Sequence, residues 1–135
     1  MSLFVWNDSY SVKVGQMDSE HQKLFDIINV LYEGMKAGKG KDALGPVINQ
    51  LITYTERHFA SEEAVLRRAN YDQLDQQISQ HRAFVARVKR FSSDFASGAA
   101  GLSVEVLDFL KDWLAQHIKG TDQQYSTTLN AQGIR

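Results

Sequence analysis

Leu51-Ile52-Thr53-Tyr54-Thr55-Glu56-Arg57-His58-Phe59-Ala60-Ser61-Glu62-Glu63 is the stretch on which the fold turns. A helix repeats every 3.6 residues, so His58 and Glu62 project from one face a single turn apart. That face is the apolar one, because Ile48, Leu51 and Thr55 precede the pair and Val65 and Leu66 follow it on the same stripe. An imidazole and a carboxylate therefore point toward a core, where an uncompensated carboxylate costs several kcal/mol or takes up a proton. Pairing with the histidine removes that cost, and so does coordinating a cation. The cation is the sharper reading.

Three further segments, working outward, show the same helical period. Upstream, Asp18 is a candidate N-cap, and Leu24, Ile27, Ile28, Leu31 and Met35 recur at three- and four-residue spacing with His21 on their stripe. That helix is expected to stop by Gly38, because Ala37-Gly38-Lys39-Gly40-Lys41 carries two glycines and no apolar period. The central helix is expected to begin between Asp42 and Pro46, the only proline in the chain, and to run to about Ala69. After a turn at Asn70-Tyr71-Asp72, a third helix carries Leu74, Ile78, His81, Phe84, Val85, Val88, Phe91 and Phe95 on one side. Beyond the loop Ser97-Gly98-Ala99-Ala100-Gly101, a fourth turns Val106, Phe109, Leu110, Trp113, Leu114 and His117 inward, and Gly120 is expected to end or distort it.

Residues 1–17 hold Phe4, Trp6, Tyr10, Val12 and Val14 without helical period. They read as an extended arm whose aromatics cover one end of the bundle. Residues 121–135 read as a tail that frays beyond Leu129. The expected fold is all-α: an up-and-down antiparallel four-helix bundle over residues 18–120, within one domain that has an extended N-terminal arm.

A chain of 135 residues is one ordinary domain, able to bury roughly two thirds of the surface its unfolded form exposes. Its 15 basic and 16 acidic side chains are spread along the chain and give a net charge of −1, so it lacks the basic stripe that nucleic acid or an anionic membrane requires. Cysteine is absent, which excludes disulfides, thiolate metal sites and cysteine nucleophiles and leaves histidine, carboxylate and amide groups as ligands. Met1 to Asp8 has neither a basic segment nor a long apolar run, and no run elsewhere nears about 18 apolar residues. The expectation is a soluble, cytoplasmic protein.

The main signal is that the four histidines, His21, His58, His81 and His117, each fall on the apolar stripe of a different helix. One buried histidine is more often a hydrogen-bonded core residue than a ligand; four together change the odds. With a rise of about 1.5 Å per residue, His21 lies about 17 residues before the first connection and His58 about 18 after it. His81 and His117 lie about 17 and 19 residues either side of the loop near Gly98, and His58 and His81 about 11 or 12 from the Asn70 turn. All four converge on one layer, to which Glu62 and Asp122 can add oxygens. Asp122 is five residues beyond His117, about 140° round a regular helix, which points it away. A break or π-type bulge at Gly120 returns it to the site; otherwise it caps the tail.

These motifs resemble the hemerythrin family in its bacterial single-domain form. The resemblance spans nearly the whole chain: Trp6 and the Tyr10-Ser11-Val12-Lys13-Val14-Gly15 arm, Met17-Asp18-Ser19-Glu20-His21, His58-Phe59-Ala60-Ser61-Glu62-Glu63, His81-Arg82-Ala83-Phe84, and Trp113 through His117 to Asp122. It implies a non-haem di-iron centre, oxo- or hydroxo-bridged, that binds dioxygen reversibly for carriage, storage or sensing. It implies His21 and His58 on one iron, which keeps an open position for dioxygen, Glu62 and Asp122 as bridges, and His81 and His117 on the second iron. Leu114, Ile118 and Phe59 are candidates to line a dry dioxygen pocket, against the plainer role of core packing.

One position departs from the family, whose third helix normally carries two histidines four apart. Here the earlier one is Gln77, whose neutral amide oxygen is a weaker donor to iron than imidazole nitrogen. Gln77 ligates, water fills the vacancy, that metal is held weakly, or the amide only hydrogen-bonds. The competing functions are a di-iron enzyme acting on peroxide, nitric oxide or ferrous iron, and a metal-stabilised sensor or interaction module. No general acid or base stands out, so a binding protein rather than an enzyme is expected. No protein partner is indicated.

Overall fold

The computed structural model describes residues 5–135; Phe4 of the expected arm lies outside them. Four long helices account for most of the described chain: α1 (Gly15–Lys36), α2 (Gly40–Arg68), α3 (Leu74–Ala96) and α4 (Leu102–Gln116), with no strand among the described residues. α1 and α3 each pack against both α2 and α4, which closes the all-α four-helix bundle. None of these helices is long and apolar enough to cross a membrane.

Local chemistry explains where the boundaries differ from expectation. Asp18 is not the N-cap of α1, which starts three residues earlier after Val14. The Asp18 carboxylate instead accepts from Ser11 Oγ at 2.6 Å and Val12 N at 2.8 Å, and so ties the arm to the first turn. α1 ends with Gly38 at φ 76° and the Lys39 N–H bonded to the Gly34 carbonyl at 2.7 Å, a glycine-terminated stop. Gly34 also permits the close approach of the next helix, since a Cβ there would meet Ala43 Cβ at 2.8 Å. α2 begins at Gly40, ahead of the expected span, and encloses Pro46. Pro46 and Asp42 are both exposed, so the hydrogen bond that the proline cannot make is missing from the outer side of the helix.

The end of α4 holds the largest departure from regular structure. His117–Thr121 winds as a π-helix, Asp122–Tyr125 follows as a 3-10 turn, and α5 (Ser126–Ala131) completes the chain's helices. Beyond Leu129 the tail is tied down by hydrogen bonds. The Ile134 N–H bonds the Leu129 carbonyl at 2.9 Å, and the Asn130 and Gln132 amides reach the carbonyls of Lys13 and Ala69 at 2.9 and 2.8 Å.

Two apolar clusters result. The larger joins all four long helices, with Trp6 and Tyr10 of the arm packed on it through Phe25 at ring distances of 5.4 and 4.7 Å. The smaller joins Val12, Val14 and Met17 to Val65, Leu66, Tyr71, Tyr125 and Leu129, with Ile134 against it. Along every helix the change from one cluster to the other occurs at a histidine, glutamate, glutamine or aspartate. The bundle is therefore two oily blocks with a buried polar layer between them.

Candidate metal centre

That layer consists of His21, His58, Glu62, Gln77, His81, His117 and Asp122, all buried, with His21, Glu62, Gln77 and Asp122 fully so. The ring centroids of His21 and His58 stand 4.8 Å apart and those of His81 and His117 5.4 Å apart, so the four imidazoles do meet at one level. The π-turn delivers Asp122 into their midst. Each carboxylate splits its two oxygens between the two histidine pairs. Glu62 Oε2 lies 3.4 Å from His21 Nε2 and 3.7 Å from His58 Nε2, while Oε1 lies 2.8 Å from His81 Nε2. Asp122 Oδ2 lies 3.3 Å from His21 Nε2, while Oδ1 lies 2.9 Å from His117 Nε2.

Three of the four rings are held in one tautomer from behind. His58 Nδ1 pairs with Glu20 Oε1 at 2.6 Å, His81 Nδ1 with Glu63 Oε2 at 2.8 Å, and His117 Nδ1 with Gln80 Oε1 at 2.6 Å. An acceptor at Nδ1 makes that nitrogen the donor and leaves a lone pair on Nε2. Those Nε2 atoms face carboxylate oxygens, His81 Nε2 at 2.8 Å from Glu62 Oε1, so a positive charge, a proton on the ring or a metal ion, belongs between them. Stacking clamps the second pair further: Phe59 lies on His81 at 3.9 Å and Trp113 on His117 at 4.2 Å.

The donor set fits metal ions. His21 Nε2, His117 Nε2, Asp122 Oδ2 and Gln77 Oε1 are buried without a hydrogen-bond partner, at a cost of about 1–3 kcal/mol each. The separations of 3.3 to 3.7 Å around His21 and His58 are too long or too poorly aligned for hydrogen bonds, yet suit neighbouring ligands on one ion. Two groups can each hold an ion, His21 with His58 and Glu62, and Glu62 with His81 and His117, their ligand atoms lying within 4.8 Å of one another.

Electrostatics agree. Burial pushes His21 down, but the Asp122 and Glu62 carboxylates outweigh it and raise the imidazole to about 10. His81 is raised in the same way, burial being overcome chiefly by Glu62. Burial pushes Glu62 up, yet His21 and His81 hold it well below the usual carboxylate range. Asp122 is pushed up by burial and by Glu62, and is nonetheless lowered by His117 and His21. Without metal, protons stand where cations would.

The six residues expected as ligands, and Gln77, whose part was left open, thus come together in one layer. Gln77 donates from Nε2 to Asp122 Oδ1 at 3.1 Å, with its oxygen left unpartnered. Phe59, Leu114 and Ile118 are buried in the larger cluster. Four supporting residues escaped the sequence reading: Glu20, Glu63, Gln80 and Tyr125, whose hydroxyl donates to Glu62 Oε2 at 3.0 Å. Adjacency was the available signal, since Glu20, Glu63 and Gln80 each neighbour a ligand in sequence and hold a histidine on the next helix.

Fold and site together define a helical-bundle protein built to hold a pair of metal ions on histidines and shared carboxylates. Residues 12–129 match the hemerythrin HHE cation binding domain. The chain is 30% identical over 131 residues to a bacteriohemerythrin of Stenotrophomonas maltophilia, covering 97% of this chain and 84% of that protein. It is 34% identical over 128 residues to a myohemerythrin of Riftia pachyptila, covering 95% of each. A crystal structure of wild-type hemerythrin superposes with a TM-score of 0.85 at 27% identity, over 95% of this chain and 98% of that one. The chain belongs to the hemerythrin family.

Proposed function

We propose that this chain binds dioxygen reversibly at a non-haem pair of iron ions, for carriage, storage or sensing, and is not an enzyme. In this reading His21 and His58 would hold one ion, His81 and His117, with Gln77 beside them, would hold the other, and Glu62 and Asp122 would be shared by the two. The observation that carries it is the convergence of four Nε2 atoms on two carboxylates, each offering one oxygen to either side. Iron, once bound, supplies the electrons that hold dioxygen.

The chain's own groups do the rest. Glu20, Glu63 and Gln80 fix the tautomers and aim of three imidazoles. Tyr125 holds Glu62 Oε2 from the smaller cluster, and burial, Glu62 and Asp122 push its hydroxyl well above its ordinary range, so it stays a donor. Phe59, Leu114 and Ile118 exclude water from the dioxygen pocket, a role supported by their burial among the site's neighbours. Residues 1–135 act as one hemerythrin-like domain, and a cytoplasmic location belongs to the same proposal.

Metal analysis combined with absorption spectra tests the reading. Two irons per chain, with an oxo-bridge spectrum that bleaches on reduction and returns in a distinct form on exposure to air, is the expected result. An iron-free protein, or a reduced form unchanged by air, refutes it.

A further inference from the structure

Building on the two-ion reading, we propose that Gln77 supplies its amide oxygen to the His81/His117 position and thereby makes that position accept manganese(II) nearly as readily as iron(II). The Gln77 amide is fully buried, and its orientation is set by Asp122: Nε2 donates to Oδ1 at 3.1 Å, and the reverse orientation would bring two oxygens together. Oε1 is left as a buried acceptor with no donor, one turn before His81 on the same helix face. A cation is the partner that such an acceptor lacks.

The donor sets of the two positions then differ. The His21/His58 side presents two imidazole nitrogens and two carboxylate oxygens; the other presents two imidazole nitrogens, Glu62 Oε1 and Asp122 Oδ1, to which Gln77 adds its amide oxygen under this proposal. Imidazole favours iron, whereas carboxylate and carbonyl oxygens suit the harder manganese ion, so exchanging a ring nitrogen for an amide oxygen flattens the usual preference for iron over manganese. The hydrogen bond from Nε2 to Oδ1 also draws density from the carboxylate oxygen on that same side, weakening its hold on iron further.

The test is anaerobic dialysis of the metal-free full chain against equal concentrations of iron(II) and manganese(II). Bound metals are counted by elemental analysis, and mixed pairs are identified by electron paramagnetic resonance. Wild type should hold iron on one side and manganese in roughly half of its second positions, whereas Gln77→His should retain about tenfold less manganese. Gln77→Asn, which withdraws the amide by one methylene, should lose the second ion of either kind while circular dichroism shows intact helices. The same manganese share in wild type and Gln77→His overturns the inference, as does a second ion held undiminished in Gln77→Asn, and both leave the two-metal reading standing. Fewer than two ions of either metal per wild-type chain at saturation overturns that reading itself.

Discussion

The two halves of the polar layer are built alike but finished differently. Around His81 and His117 the imidazole nitrogens stand 2.8 and 2.9 Å from their carboxylate oxygens, both rings are gripped from behind, and both are stacked on aromatics. Around His21 and His58 the same separations open to 3.3–3.7 Å, and only His58 has a partner at Nδ1, since both nitrogens of His21 lack one. A surface groove of about 830 Å³ between α1 and α2 reaches Glu20 and His58, against about 400 Å³ beside Phe59 and His81. One half is gripped at both rings but has Gln77 in place of an imidazole, while the other has longer separations and lies beside the larger groove. In the proposed two-ion reading, the more tightly held half and the half that keeps a position for dioxygen are different parts of one layer.

Removing what the halves share should erase the comparison altogether. Glu62→Ala deprives three histidines and Tyr125 of their common partner. Both ions should be lost by metal analysis, and the buried charge left behind should cost roughly 3–5 kcal/mol in denaturant unfolding. Retention of even one full equivalent of iron would show that the bridge is not common to both sides.

Leu114→Ala tests the apolar wall. Leu114 is buried in the larger cluster with Ile118 and Phe59, so the truncation should cost about 2–5 kcal/mol of stability. The space should admit water and shorten the lifetime of the oxygenated form, followed by its absorption band; an unchanged lifetime removes Leu114 from the pocket.

The backing residues sharpen the contrast one half at a time. Glu20→Ala should weaken only the ion on the His58 side and Glu63→Ala only that on the His81 side, each by about 10- to 100-fold in a calorimetric metal titration. Equal loss at both equivalents in either variant would contradict the division into halves.

The gentlest probe is the pH profile of the metal-free chain. His21, raised from 6.5 to about 10, and His81, also raised, contribute stability that is complete below 6.5 and is lost as the pH climbs toward about 10. Glu62 and Asp122 lie below their ordinary 4.5 and 3.8, so their contribution is present above those values and is lost as the pH falls further. The melting temperature should therefore be highest between about pH 4.5 and 6.5 and decline on the alkaline side. Metal should abolish the alkaline decline, because coordinated imidazoles carry no proton there.

The amino-acid order alone was enough for four helices, their antiparallel course and the meeting of His21, His58, His81 and His117, because periodicity and rise per residue are local quantities that the chain repeats faithfully. It left two courses for Asp122, about 140° out of line on a regular helix or returned by a π-type bulge at Gly120, and the π-turn at His117–Thr121 decided for the second. The partners of each ring, Glu20 for His58, Glu63 for His81 and Gln80 for His117, were settled by the packed bundle, as were the tail's docking on the smaller cluster and the orientation of the Gln77 amide. Those choices join groups on different helices, where side-chain reach and the exclusion of water decide which of several polar neighbours is taken.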